Sequence, residues 1–433
     1  MTGIGRRRLL GAAGGGTLAS IAGCLDLLES DDPPRRFDAD ELDPILETDT
    51  PDVVRPAPVQ PSEDAVETSL ERLDELIDDV PDPLETDDVP NEEVRDRIDG
   101  WREMAEGRRT TLEDDSSPFH VYRANVPAKR DAGQASGAFA VIEGERTRSG
   151  AEGDRETMLT DLEARREAIE YVGDDPERTL VLAHRLEDEL ATAERFLENR
   201  PRDRYGNDAL ATGEIVGALE RARGAIGFVE ELEDRHVDRL EDERSFATTF
   251  ESAVDVSLEA VDTADIPDRL AESQNEWVDV DVADTVAQQV LTEAGGALFR
   301  SKDQLTETAE EGEVATPLWY ACAFERDVRA YEALVEAIEG GAHREIETIE
   351  DVRELRESAL EAAADSPFDP AEPSLGGDFL ADAYERLETA DRRVRDSEDG
   401  RSYDLLGEYA RYALTGAQLE ALPDAVSAVQ DRL

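Results

Sequence analysis

Lysine is almost missing from this chain: of its 46 basic residues only Lys129 and Lys302 are lysine, the rest being arginine. Cysteine is nearly as scarce, with Cys24 and Cys322 alone, and there are four histidines, His120, His184, His236 and His343. Aromatic residues make up 5% of the sequence. These shortages exclude specific chemistries. A disulfide framework needs more cysteines, and a zinc site of the Cys-x-x-Cys type has nothing to build on. The isolated histidines cannot form a His-Glu-x-x-His helix, and neither a Gly-x-Ser-x-Gly elbow nor a Gly-Lys-Ser/Thr phosphate loop occurs.

Acid is abundant instead. Asp and Glu number 107 and the formal charge is -61. Binding nucleic acid requires a basic patch, and the short basic clusters here are interleaved with carboxylates, so nucleic acid is not an expected partner. A charge of this size repels itself in dilute buffer, whereas molar salt reduces the screening length to roughly 3 Å. The extreme acidity and near-absence of lysine resemble proteins of haloarchaea. Low hydrophobicity with high charge also marks disorder. Against that reading, 39% of residues are hydrophobic and they recur at helical spacing.

The N-terminus carries the most specific signal. Arg6, Arg7 and Arg8 precede an apolar stretch from Leu9 to Ala22, interrupted by Gly11, Gly14, Gly15 and Gly16 and closed by Ile21-Ala22-Gly23-Cys24. The stretch is shorter than the roughly 20 residues that span a bilayer, and its glycines make a poor permanent helix. A basic start, a short apolar middle and small residues before a cut form an export leader. Arg6-Arg7 with the following leucines resembles the twin-arginine export motif, and Ile21 to Cys24 resembles a lipobox. The resemblance implies cleavage after residue 23 and lipid on Cys24, hence an extracytoplasmic protein held at the membrane, with an envelope protein or transporter as its possible partner. Cys322 is then left without a partner for an intrachain disulfide.

Residues 24–61 read as an acidic, proline-rich tether, with Pro33, Pro34, Pro44, Pro51, Pro56, Pro58 and Pro61 favouring an extended spacer. Leu42, Ile45 and Leu46 have a helical spacing that would let part of it pack. From Ser62 the pattern becomes helical. Ser62 is an N-cap, and Val66, Leu70, Leu73 and Ile77 share one face. Asp175-Pro176 opens a helix with Leu182, Leu186, Leu190 and Leu197 in line. Thr316-Pro317 opens another, in which Phe324, Val328, Tyr331, Val335 and Ile338 repeat until Gly340-Gly341. Residues 116–153 are ambiguous: Phe119 to Tyr122 would begin a strand, while Ala132, Ala135, Phe139 and Ile142 fit a helix near 131–146.

The expected fold is all-α, an irregular multi-helix bundle or loose helical-hairpin array of about a dozen helices. Its size favours two subdomains, 62–200 and 201–433, divided at the turn from Pro201 to Gly213.

Two acid-histidine spacings qualify as metal-ligand candidates, His184 with Asp188 and His343 with Glu347, each one helical turn apart. Acids fill about a quarter of all positions, so such pairs are close to what chance supplies. Gly341-Ala342-His343-Arg344-Glu345-Ile346-Glu347 is similar to the Gly-x-His-x-x-Glu signature of imelysin-like helical lipoproteins, which are linked to iron handling. It departs where position 346 is Ile. No cofactor is indicated and no catalytic set is identified. Trp101, Trp277 and Trp319, with Tyr403, Tyr409 and Tyr412, are read first as core and only second as a ligand-lining surface. Two functions remain open: an anchored structural or interaction protein without catalysis, or a metal- or solute-binding lipoprotein.

Overall fold

The computed structural model describes residues 35–113, 117–199, 206–269, 273–397 and 401–433. The leader, with Arg6, Arg7 and Cys24, lies outside them. The described chain is all-α. Its strands are two-residue ladders: β1 (Phe37–Asp38) pairs antiparallel with β4 (Ser402–Tyr403), and β2 (Val172–Gly173) with β3 (Arg244–Ser245).

Six helices build an N-terminal unit: α1 (Glu63–Asp78), α2 (Glu92–Glu113), α3 (Pro118–Ile142), α4 (Arg148–Glu167), α5 (Pro176–Glu198) and α6 (Asp208–Val237). The cap of α1 is as expected, while its buried face is rotated to Ser69, Leu73 and Leu76, leaving Val66, Leu70 and Ile77 half-buried. Ser62 Oγ accepts from Ala65 N, and Leu73 and Leu76 are buried. In α3, Phe119 to Tyr122 form the first turn of a continuous helix and not a strand, because Pro118 sits at its start and an Ala/Gly-rich face follows. That face crosses α6 at very short range. A Cβ on Gly213 would lie 2.4 Å from Gln134 O, and one on Gly217 would lie 2.6 Å from Arg130 O. Glycines 133 and 137 on α3 meet the same crossing from the other side.

Gly217→Val is therefore expected to cost about 1–3 kcal/mol through overpacking. Gly296→Ala, in a helix position with nothing within 4 Å of the added carbon, serves as the control. It should be neutral or stabilising by up to about 1 kcal/mol from helix propensity alone. Urea unfolding in molar KCl would compare them, and equal midpoints would refute close packing at this crossing.

The remaining helices are α7 (Ala247–Thr263), α8 (Val286–Glu310), α9 (Ala315–Glu339), α10 (Ile349–Ala364), α11 (Leu375–Arg395) and α12 (Leu406–Gln430). Helix α9 packs on α8, α12, α5 and α7, and α12 also meets α10 and α11. Because α6 packs on α3, α4 and α5, the two units divide after α6 and not at 201–213. Residues 208–213 of the expected turn are the first residues of α6. Helix α5 is buried on two sides: Leu182, Leu186 and Leu190 enter the N-terminal core, Leu180, Val181 and Ala183 the C-terminal one.

Residues 35–61 are packed onto both units and do not form a free spacer. Phe37, Leu42 and Ile45 are buried in the C-terminal core, and β1 joins β4. Further along, Thr50 Oγ1 donates to Asp391 (2.5 Å) and Arg55 pairs with Asp382 (3.2 Å) and Glu385 (3.1 Å). Val59 then enters the N-terminal core, and Ser62 N donates to Glu231 (2.6 Å). The prolines stiffen this strap, and the buried apolar side chains fix its course.

Candidate functional site

The histidines singled out from sequence occupy two unlike places. His184 is buried on α5 between the two units. Its Nδ1 lies 3.2 Å from Thr316 Oγ1, and its ring stacks at 4.8 Å on Trp319, which stacks at 4.5 Å on Phe379. Burial, reinforced by Arg185, Arg123 and Arg55, pushes its pKa well below the usual histidine value, so it is a neutral packing element. Asp188, one turn on, is only half-buried. His343 is not in a helix at all: it sits in the loop after α9 with φ of 57°, and its Nδ1 lies 3.0 Å from Tyr409 OH. Glu347 is exposed in the same loop, so the one-turn spacing with His343 does not exist. Among the described residues no group of three or more His, Cys, Asp or Glu side chains is placed to hold a metal ion.

The aromatic residues follow the core reading. Trp101, Tyr409 and Tyr412 are buried, and Cys322 is fully buried, with its thiol pushed up to about 12 by burial. The inter-unit seam is polar, and its two central carboxylates, Glu187 and Asp378, are hydrogen-bonded. Glu187, fully buried on α5, accepts hydrogen bonds from the backbone N–H groups of Val314, Ala315 and Thr316 and from Tyr171 OH. Arg185 meets both oxygens of Asp378 at 2.8 and 2.7 Å. A carboxylate at a helix N-terminus and a bidentate ion pair hold the units together.

A different constellation faces an open groove of about 640 Å³ between α1, α3 and α6. On α3, Tyr122, Asn125 and Lys129 follow one another at helical spacing and look towards Ser69 on α1. Lys129 Nζ donates to Ser69 Oγ at 2.7 Å, and Asn125 Nδ2 donates to the same oxygen at 2.8 Å. Lys129 and Ser69 are buried, and Asn125 is fully so. Glycines keep the groove open: a Cβ on Gly227 would lie 3.3 Å from Tyr122 OH. Glu220 is held by Arg72 (3.1 Å) and Arg223 (2.6 Å) at the same lining.

The electrostatics of this cluster follow from its burial. Desolvation lowers the Lys129 pKa to about 8, with Glu220 opposing and Arg72 adding to the shift. Burial likewise raises Tyr122 to about 12. A fraction of Lys129 is thus a neutral amine near neutral pH, hydrogen-bonded to a hydroxyl that already receives a second donor. Neither Ser69, Asn125, Tyr122 nor Lys129 stands out by motif. The one usable signal is that Lys129 is a lysine in a chain that otherwise uses arginine.

Comparison with known families adds a division but no activity. Residues 64–243 match the family model described as Domain of unknown function (DUF8262). Residues 247–431 match the one described as Domain of unknown function (DUF8264). No curated protein and no solved structure matches the chain. The two matched ranges meet after α6, at β3, as the packing does. The Ser69 groove lies within the first range except for Ser62, and the His184 seam joins the two.

Proposed function

We propose that this is a lipid-anchored, extracytoplasmic protein of the cell envelope whose helical body has a structural or interaction role, with an envelope protein or transporter as partner. The observation that carries the reading is the leader: Arg6 and Arg7 before the apolar stretch, and Cys24 at its end. The strap supports it mechanically. From Cys24 to Arg35 the chain reaches at most roughly 40 Å, so a lipid on Cys24 would keep the C-terminal unit close to the membrane. From there the strap fixes the N-terminal unit in turn. No helix among the described residues is long and apolar enough to cross a membrane, so attachment would fall to the lipid.

The solute-binding reading is favoured by one observation, the groove at Ser69 and Lys129. Its metal-binding form has less support, since His343 and Glu347 share no helix and His184 and Asp188 gather no third ligand among the described residues.

Cys24→Ser decides the anchoring. Expressed in a halophilic archaeal host, the wild type is expected in the membrane fraction, with mass spectrometry showing a lipidated residue 24 as the new N-terminus. The variant should move to the soluble fraction or retain its leader. A doubly acylated anchor holds a protein stably, so partial release of the wild type in molar salt would itself count against lipid attachment.

A further inference from the structure

We propose that Ser69 is a nucleophile and Lys129 its general base, in a groove that accepts a carboxylic ester or amide. This goes beyond the anchoring role and does not depend on it.

Four observations converge on the assignment. First, Lys129 Nζ and Ser69 Oγ are 2.7 Å apart, within proton-transfer reach. Second, among the described residues Lys129 forms no ion pair with a carboxylate, and burial favours its neutral amine more strongly than nearby Glu220 favours the charged one. Third, Asn125 Nδ2 converges on the same oxygen at 2.8 Å, while the buried Oδ1 of Asn125 has no hydrogen-bond partner. With Lys129 accepting the hydroxyl proton, the Asn125 N–H remains as a donor to Ser69 Oγ and favours the negative charge that develops there. Fourth, Ser69, Tyr122 and Lys129 all line a groove of about 640 Å³, which has room for a small acyl group and its leaving group.

The choice of lysine supports the assignment. Arginine stays protonated under all ordinary conditions and cannot accept a proton from serine, whereas a buried lysine can. Of the two lysines in a chain whose other basic residues are arginine, one faces Ser69 and the other is Lys302. A purely structural staple between α1 and α3 would be equally served by a permanently charged side chain.

The step balances within the site. As Ser69 Oγ bonds to the carbonyl carbon, its proton passes to neutral Lys129 Nζ. When the bond from carbon to the leaving group breaks, Nζ returns the proton to the departing oxygen or nitrogen. Water then attacks the acyl-Ser69 carbonyl and gives a proton to Nζ, which passes to Ser69 Oγ as it departs. One water is consumed and no other reactant is needed. The carboxylates of Asp64, Glu230 and Asp234 around the groove disfavour an anionic acyl group.

The test uses the full chain in molar KCl with p-nitrophenyl acetate as the probe. Intact mass and fragment mapping should show one acetyl group on Ser69, with p-nitrophenol released at a rate that rises through a midpoint of about 8. Ser69→Ala should abolish the label. Lys129→Arg keeps the positive charge and should keep the fold, checked by circular dichroism, but lose on the order of 100-fold or more in acylation rate. A folded wild type that is not acylated well above the lysine's midpoint would overturn the proposal. So would labelling that is unchanged in Ser69→Ala, or a Lys129→Arg rate equal to that of the wild type.

Discussion

Arg356→Ala is expected to destabilise the C-terminal unit by about 3–5 kcal/mol, the range for breaking a buried ion pair by removing one partner. Arg356 on α10 and Asp391 on α11 are both 1% exposed. The guanidinium donates to both carboxylate oxygens, at 2.8 and 2.6 Å, and Thr50 Oγ1 and Tyr412 OH donate to the same carboxylate. Burial works most strongly against the Asp391 anion, but the bonds from Arg356, Thr50 and Tyr412 outweigh it and hold the carboxyl below its ordinary range. Without Arg356 this balance reverses: the carboxylate stays buried with its main counter-charge gone. Thr50 belongs to the strap, so the variant should also loosen residues 35–61. Urea unfolding in molar KCl, together with hydrogen exchange over the strap, would report both effects.

The same experiment separates two kinds of electrostatics. Surface ion pairs such as Arg395 with Glu388 are largely exposed and contribute little once salt screens them. The Arg356 pair is shielded from salt, so its loss should be similar in low and high KCl. A loss that vanished in high salt would show that the pair is effectively solvated. Replacing both partners by apolar residues of similar size, Arg356→Met with Asp391→Leu, should recover much of the stability, since a buried pair is costly to break but not to replace.

How far the sequence anticipates this molecule depends on whether the deciding interactions are local. Helix α1 was legible in extent because Ser62 caps it from the adjacent position, but its buried face, Ser69, Leu73 and Leu76, shares only Leu73 with the expected one. Helix α5 was legible for the same reason, with Asp175 capping and Pro176 in the first turn. Helix α9 shows the limit. Local pattern places its start at Thr316, yet it begins at Ala315, because Glu187, more than a hundred residues earlier, supplies the acceptor for its first N–H groups. His343 and Glu347 were paired by a helical period that ends at Gly341, whose φ of 96° turns the chain into a loop. The groove was illegible for the strongest reason. Ser69 and Lys129 are 60 residues apart and meet only because α1 lies along α3, and no spacing rule encodes that contact. The strap was half-legible, since the prolines and the packing of Leu42 and Ile45 could be read locally but the burial of Phe37 and the pairing of β1 with β4 could not.

Glu313→Gln is expected to stabilise the fold by on the order of 3 kcal/mol at pH 8 and by little at pH 5. Glu313 precedes α9, is 4% exposed, and neither carboxylate oxygen has a hydrogen-bond partner. Burial, then the neighbouring Glu187, raises its pKa from 4.5 to about 7, while Arg166 opposes. The folded chain therefore holds this proton more tightly than the unfolded chain. The associated stability is fully present below about 4.5 and is lost as pH rises through about 7. His184 runs the other way. Its pKa is depressed on folding, so its contribution is present above the ordinary 6.5 and is lost as pH falls below it. The difference between wild type and Glu313→Gln isolates the glutamate, because both proteins contain His184. Urea unfolding of the pair at the two pH values in molar KCl would measure it, and an equal difference at both would show that the carboxyl is solvated. Glutamine leaves a buried amide in the same place, so the gain at pH 8 is the cost of the buried charge less whatever the amide fails to bond. A net gain under those terms would mean that the seam carries an ionised carboxylate without an ion-pair partner above neutral pH, just before the N-terminus of α9.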